Sequence, residues 1–401
     1  MLAIAKIMIA LAVIVLLLNR KVQTGYAMLA GALIIFVTSG PEWAKFSAAL
    51  TSTVTGYSTW EIIIALYFVM CLEFQLRTSG IIDGFMTSAR GIFKSDRFLL
   101  VMMPAFLGFL PSLGGARFSA PLVENASKSF ILSAEQKTTI NYWFRHVWEY
   151  TNPIFTGMLL ASHLSGIPLG TLILNMAWLT GLSLFLGWLF LIRPVKSASP
   201  AAIAVQIGDA TSSPYRYPAL ASAPILANVL LVVAFHLPAS VSMGLVVAVM
   251  ALVIKQKIPQ LKAMALHALD GKLLWGIAGI LFFQHILNHS GLIQDVAALL
   301  DAMAVPASAV IGIIAFIGGL LTGTSQGFVA ISFPFIAALA PGDLTLAMIS
   351  FALGLAGQML SPAHLCLLVT LDYFKADFLK TLRPVLYMNI IIIAAAYAMT
   401  M

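Results

Sequence analysis

Five polar or ionisable residues crowd one short stretch of otherwise apolar sequence: Asn141, Arg145, His146, Glu149 and Asn152, the last followed by Pro153. Arg145 and Glu149 stand four apart, so on a helix they share a face and partly neutralise each other. His146, three residues before Glu149, lies on an adjoining face. Groups of this kind can take up a proton at Glu149 or His146, or let Arg145 grip a carboxylate. The plainer alternative is an ion pair that only orients a helix.

Two small-residue stretches carry a second kind of chemistry. In Pro111-Ser112-Leu113-Gly114-Gly115-Ala116-Arg117-Phe118-Ser119 the glycines let backbone amides approach a ligand, and the half-helix that follows points its positive end at the turn. Both features favour an anion. In Thr322-Gly323-Thr324-Ser325-Gln326-Gly327 the hydroxyls, the amide and free carbonyls suit an anion or a dehydrated Na+ near Thr324 and Ser325. Gly108, Gly318 and Gly319, just before these stretches, fit close helix packing instead. Polar groups also flank two prolines: Thr151 and Asn152 beside Pro153, and Gln358, Ser361 and His364 around Pro362. Ser112, Gly114, Gly115, Arg117, Arg145, Asn152, Thr324, Ser325, Gln326 and Ser361 are therefore the candidate solute-binding residues. His146, Glu149, Thr322 and Gln358 are the candidates for ion or proton coupling. Arg117, Arg145 and Glu149 leave a net positive charge at depth, which favours an anionic solute over a purely cationic one. His285 and His289 share a helix face without an acidic partner and read as polar residues at a helix end. Cys71 and Cys366 sit in apolar stretches, match no metal spacing and read as small core residues. No His-Glu-x-x-His motif or clustered Asp/Cys site argues for an enzyme, so neither an enzyme nor a cofactor is expected, apart from Na+ as a coupling ion.

The elements that must hold these residues are set by composition. The 401 residues are 61% apolar and only 9% charged, with a mean hydropathy of +0.99. Soluble domains carry roughly 25% charged residues, so this chain could not cover its own surface in water. That excludes a soluble enzyme, a disordered chain and a nucleic-acid binder. Runs such as LAVIVLLL and IIIAAAYAM make the spans helical rather than a barrel. The first 18 residues lack a small-residue cleavage site and read as a retained helix. Ten spans are expected near 2–18, 23–38, 58–76, 138–161, 168–192, 217–235, 240–254, 272–288, 343–371 and 384–400. Stretches 98–132 and 305–340, each interrupted by one of the small-residue segments, read as re-entrant hairpins, and 138–161 and 343–371 as helices broken at their prolines. Segments 81–95 and 292–303 read as interfacial helices. Eighteen of the 22 Lys and Arg fall on one side of this arrangement, which places both termini outside the cytoplasm. The net charge of +7 is mostly this bias.

The halves resemble each other at an offset of about 210 residues. Leu76-Arg77-Thr78-Ser79-Gly80-Ile81-Ile82 matches Leu287-Asn288-His289-Ser290-Gly291-Leu292-Ile293, and Ala105-Phe106-Leu107-Gly108 matches Ala315-Phe316-Ile317-Gly318. Glu149-Tyr150-Thr151-Asn152-Pro153 sits where Gln358-Met359-Leu360-Ser361-Pro362 sits. The fold expected is an all-α polytopic membrane protein built from two inverted repeats, each of five spans and one hairpin: residues 1–200 and 217–401, joined by a cytoplasmic linker at 201–216. Inverted repeats with broken helices are the pattern of secondary transporters.

The stretches LPSLGGARFSAPLV, INYWFRHVWEY, TGTSQGF and LSPAHLCLLVTLDYF resemble the prokaryotic membrane family catalogued as domain of unknown function 401, within the ion transporter superfamily. Its relatives there include divalent-anion/sodium symporters, gluconate permeases, citrate transporters and sodium/proton antiporters. The resemblance runs over essentially the whole chain. It implies an elevator mechanism, usually in a homodimer, in the cytoplasmic membrane, with Ser112, Gly114, Gly115, Thr324 and Ser325 as ligand positions. The Ser-Asn-Thr motifs of the sodium/dicarboxylate members are absent from both tips. The function expected is a secondary active transporter of a small carboxylate-type anion coupled to H+ or Na+, or alternatively a sodium/proton antiporter with no organic substrate. The partners expected are that anion and the lipid bilayer, not nucleic acid.

Overall fold

The computed structural model describes residues 2–82, 84–85, 88, 95–109, 116–197, 215–292, 295, 298 and 306–399. Much of 81–95, 292–303 and the 201–216 linker therefore lies outside the described residues, as does the turn at 110–115.

Eighteen α-helices carry the chain among the described residues. In order they are α1 (Leu2–Asn19), α2 (Thr24–Thr38), α3 (Trp43–Thr55), α4 (Tyr57–Thr78), α5 (Asp96–Phe109) and α6 (Ala116–Ser127). Then come α7 (Ala134–His146), α8 (Thr156–Ser165), α9 (Leu169–Gly187), α10 (Arg216–Val233), α11 (Ala239–Val253) and α12 (Ile258–Ala268). The last six are α13 (Gly271–His289), α14 (Ala307–Thr322), α15 (Ser325–Leu339), α16 (Leu344–Met359), α17 (Leu365–Phe374) and α18 (Phe378–Ala398). One short antiparallel pair, β1 (Phe130–Ile131) with β2 (Lys196–Ser197), ties the end of α6 to the stretch after α9.

Among the described residues four helices are long and apolar enough to cross a bilayer on their own, or five if the bent pair α12–α13 is one span. Large apolar side chains such as Leu33, Leu174, Leu230 and Val249 face outward, as lipid allows and water does not. The chain is a multi-pass helical membrane protein. It differs from the hydropathy reading in that helices α3 and α12 were not among the expected spans. Segments 138–161 and 343–371, expected as helices broken at their prolines, are divided there, the first into α7, a turn of 3-10 helix (Val147–Tyr150) and α8, the second into α16 and α17.

The pairing of helices crosses between the halves. Helix α2 packs on α13, and α4 packs on α11. Helix α15 packs on α8, and α6 on α17. Within each half, α5 lies against α7, and α14 against α16. These last two contacts are backbone on backbone: a Cβ on Gly108 would meet the Arg145 carbonyl, and one on Gly319 would meet the Gly354 carbonyl.

Candidate functional site

Each chain break is braced in the same way. At the first, Asn152 donates from Nδ2 to the Phe109 carbonyl at 2.8 Å and accepts at Oδ1 from the Ile154 amide at 3.2 Å. At the second, Ser361 donates from Oγ to the Leu320 carbonyl at 2.6 Å and accepts from the Ala363 amide at 3.0 Å. In each case one polar side chain reaches the C-terminal turn of the preceding hairpin helix and satisfies an amide freed by the proline that follows it. Thr180 supports the 3-10 turn by donating to the Val147 carbonyl at 3.1 Å.

The ends of the two broken helices meet. Glu149, on the 3-10 turn, accepts both of its short contacts from the Gln358 side-chain amide, at 3.0 and 3.1 Å. His146 Nε2 lies 3.8 Å from Glu149 Oε1. The α-to-3-10 change after His146 alters the rotation between positions 145 and 149, and the groups seen at Glu149 are Gln358 and His146. Arg145, which the spacing places on one face with Glu149, is buried in the last turn of α7. Glu149, His146, His364 and Gln358 are all buried. Because its amide nitrogen faces the carboxylate, Gln358 presents Oε1 without a hydrogen-bond partner among the described residues, an orphaned buried acceptor of the kind that costs free energy unless something fills it.

The two histidines fix their own tautomers. His146 Nδ1 lies 2.6 Å from the Tyr142 carbonyl and His364 Nδ1 lies 2.6 Å from the Gly323 carbonyl. A carbonyl only accepts, so both Nδ1 atoms carry hydrogen. Their Nε2 atoms then face one another at 2.9 Å. Two neutral rings in these tautomers would oppose lone pair to lone pair, so a positive centre belongs between them. Cys366 Sγ is part of the same group: it and the two imidazoles have donor atoms within 4.8 Å of one another. Tyr142 closes the cluster, packed edge-on against both rings and donating to the Met359 carbonyl at 3.1 Å.

Gly323 holds His364 from the second small-residue stretch. It ends α14 in the left-handed conformation, φ 65°, and a Cβ there would press on the His364 amide nitrogen at 2.7 Å. Gly323→Ala is expected to cost about 1–2 kcal/mol from the backbone alone, and to move His364. Thermal unfolding in detergent checks the first effect. An unchanged midpoint would show that the turn relaxes freely.

The structure thus brings together His146, Glu149 and Gln358, with Asn152 and Ser361 bracing the breaks around them. It does not gather every candidate there. Thr322 donates to Gly318 at 2.7 Å within its own helix. Thr324 caps α15 by accepting from the Gly327 amide at 3.1 Å and is exposed. Ser325 abuts Gly157 at the start of α8, and Gln326 faces Gly276 on α13. Ser112, Gly114 and Gly115 lie outside the described residues, as does the Arg117 side chain. The string Gly323-Thr324-Ser325-Gln326-Gly327 also fits the Gly-x-Ser-x-Gly spacing of a nucleophile elbow. That motif needs a strand-to-helix turn, whereas this one joins two helices. By sequence alone His364 is a polar group beside a break and Cys366 reads as a core residue. The signal for both is their place two and four residues beyond Pro362. A larger cavity of about 340 Å³ lies apart from this cluster, bounded by Tyr57, Glu61, His163 and His236.

A family model described as a protein of unknown function, DUF401, matches residues 3–400. The chain belongs to the DUF401 family. No curated protein matches it. A helical membrane protein of the DUF401 family fits a transporter in general terms.

Proposed function

We propose that this chain is a secondary active transporter that moves a small carboxylate-type anion across the cytoplasmic membrane, coupled to H+ or Na+. The observation that carries the reading is the buried group His146, Glu149, Gln358 and His364 at two facing chain breaks, with the Gln358 oxygen left to be satisfied. Broken helices whose freed polar groups line an enclosed site are the usual substrate seat of secondary transporters. The matching braces at Asn152 and Ser361, and the crossed pairing of α2 with α13 and α4 with α11, support an inverted repeat. In this reading Glu149 supplies the negative charge for the coupling cation. Arg145 and the hairpin tips attract the anion, and the repeats slide as an elevator within a homodimer.

Reconstitution in proteoliposomes tests it. A panel of small carboxylates is offered with an imposed H+ or Na+ gradient, and uptake of at least one is expected to follow one gradient. Uptake that ignores both would overturn the proposal. Proton movement that needs Na+ and no anion would favour sodium/proton antiport instead, a reading that Glu149 with the Gln358 amide also supports.

A further inference from the structure

We propose that His146, His364 and Cys366 form a binding site for a tetrahedral divalent ion of the Zn2+ type, with Glu149 as its fourth donor. The three side chains place their donor atoms within 4.8 Å of one another, and the Glu149 carboxylate lies 3.8 Å from the His146 Nε2. Both imidazoles are set as metal-binding histidines are. Each donates Nδ1–H to a backbone carbonyl, which fixes the ring and leaves the Nε2 lone pair directed at the shared point. Two nitrogens and a sulfur with one carboxylate is a donor set that suits Zn2+.

The fit needs the donors to move. Zn–N bonds of about 2.0–2.1 Å at a tetrahedral angle set two nitrogens about 3.4 Å apart, and the rings stand at 2.9 Å, so they must part by about half an ångström. A tetrahedral S···N separation is about 3.5 Å, whereas the donor atoms of the three residues spread up to 4.8 Å, so the sulfur must close by about an ångström and the Glu149 carboxylate must swing in beside it. Binding would release the thiol proton of Cys366 and a proton shared between the rings, leaving the ion held by two neutral imidazoles, a thiolate and a carboxylate. The two negative ligands balance the divalent charge, so the ion need not be buried uncompensated. His146 and Glu149 belong to the first break, His364 and Cys366 to the second. The ion would therefore staple the two breaks together in the state in which Glu149 holds no coupling cation.

The test uses the purified full-length protein in detergent, stripped with chelator and titrated with Co2+ and then Zn2+ against a chelating dye. One Co2+ per chain is expected, with a thiolate-to-cobalt charge-transfer band that Zn2+ abolishes. Cys366→Ser should lose that band and weaken Zn2+ by more than about tenfold, and Cys71→Ser should change neither. X-ray absorption of the Zn2+-loaded wild type needs no variant, and should show one sulfur at about 2.3 Å beside lighter ligands at about 2.0 Å. Sub-stoichiometric binding, a wild-type spectrum without a sulfur ligand, or Zn2+ affinity unchanged in Cys366→Ser would each overturn the site. A shared proton alone would then fill the gap between the rings. None of these readouts depends on transport, so their failure is separate from failure of the proteoliposome assay.

Discussion

Glu149→Gln is expected to reduce gradient-driven uptake to the level of empty liposomes while the protein still folds. The replacement is isosteric, so the packing around the 3-10 turn is kept. What changes is charge and hydrogen-bond sense. Gln358 now donates to both carboxylate oxygens, at 3.0 and 3.1 Å. A glutamine at 149 keeps one acceptor and turns the other oxygen into a donor, so one contact must be given up or the Gln358 amide must turn. A hydrogen bond to a charged group contributes about 1.5–3 kcal/mol, and losing a buried charge offsets part of that. A stability change under about 2 kcal/mol is therefore expected, measured by thermal unfolding in detergent. The effect on coupling is of a different order. Without the carboxylate, nothing negative faces His146 Nε2 across the 3.8 Å gap, and a coupling cation would enter a site with no counter-charge. Wild-type uptake with an intact gradient response in Glu149→Gln would remove Glu149 from the proposed site.

The sequence made some of this cluster legible and hid the rest for physical reasons. Ionisable residues at membrane depth are costly, about 2.5–3.5 kcal/mol each on insertion scales, so Arg145, His146 and Glu149 stood out against their apolar neighbours. Pro153 and Pro362 marked the breaks because proline removes a helix hydrogen bond. What the sequence did not disclose was which residues meet. The i,i+4 rule assumes a regular helix, and the helix stops at His146, so the neighbours found at Glu149 include a residue 209 positions away. Cys366 is ordinary by its local sequence and becomes chemical only when the fold sets it beside two imidazoles. Thr324, a hydroxyl in a small-residue stretch, reads as a ligand, and its place in the fold adds a second task, the cap of α15, that local sequence does not show. Helices α3 and α12 escaped notice because they are short and carry Lys45, Lys262 and several polar residues that broke up the hydropathy pattern.

Gly108→Ala is expected to be among the most damaging single-methyl changes at the described glycines, and the comparison that tests it is Gly181→Ala. Both glycines lie within helices, α5 and α9, with negative φ, so backbone conformation does not separate them. Helix propensity favours alanine at both, by about 1 kcal/mol. Their surroundings are opposite. A Cβ at Gly181 meets nothing within 4 Å, so Gly181→Ala should be neutral or slightly stabilising. A Cβ at Gly108 would fall on the carbonyl of Arg145, which is backbone in the last turn of α7 and cannot rotate away as a side chain would. Either α5 and α7 separate or the turn distorts. Overpacking of this kind costs typically about 1–3 kcal/mol and occasionally more. The rigid partner puts Gly108→Ala at or above the top of that range, so loss of folded protein during purification is the expected outcome. Where some survives, displacement of Arg145 carries His146 with it, because the two are adjacent and end the same helix. Gly319→Ala should behave alike, since its Cβ would meet the Gly354 carbonyl. Thermal unfolding of the three variants beside the wild type decides the matter. A Gly108→Ala midpoint no lower than that of Gly181→Ala would mean that α5 and α7 are not in backbone contact, and that the seat assigned to Arg145 and His146 is misplaced.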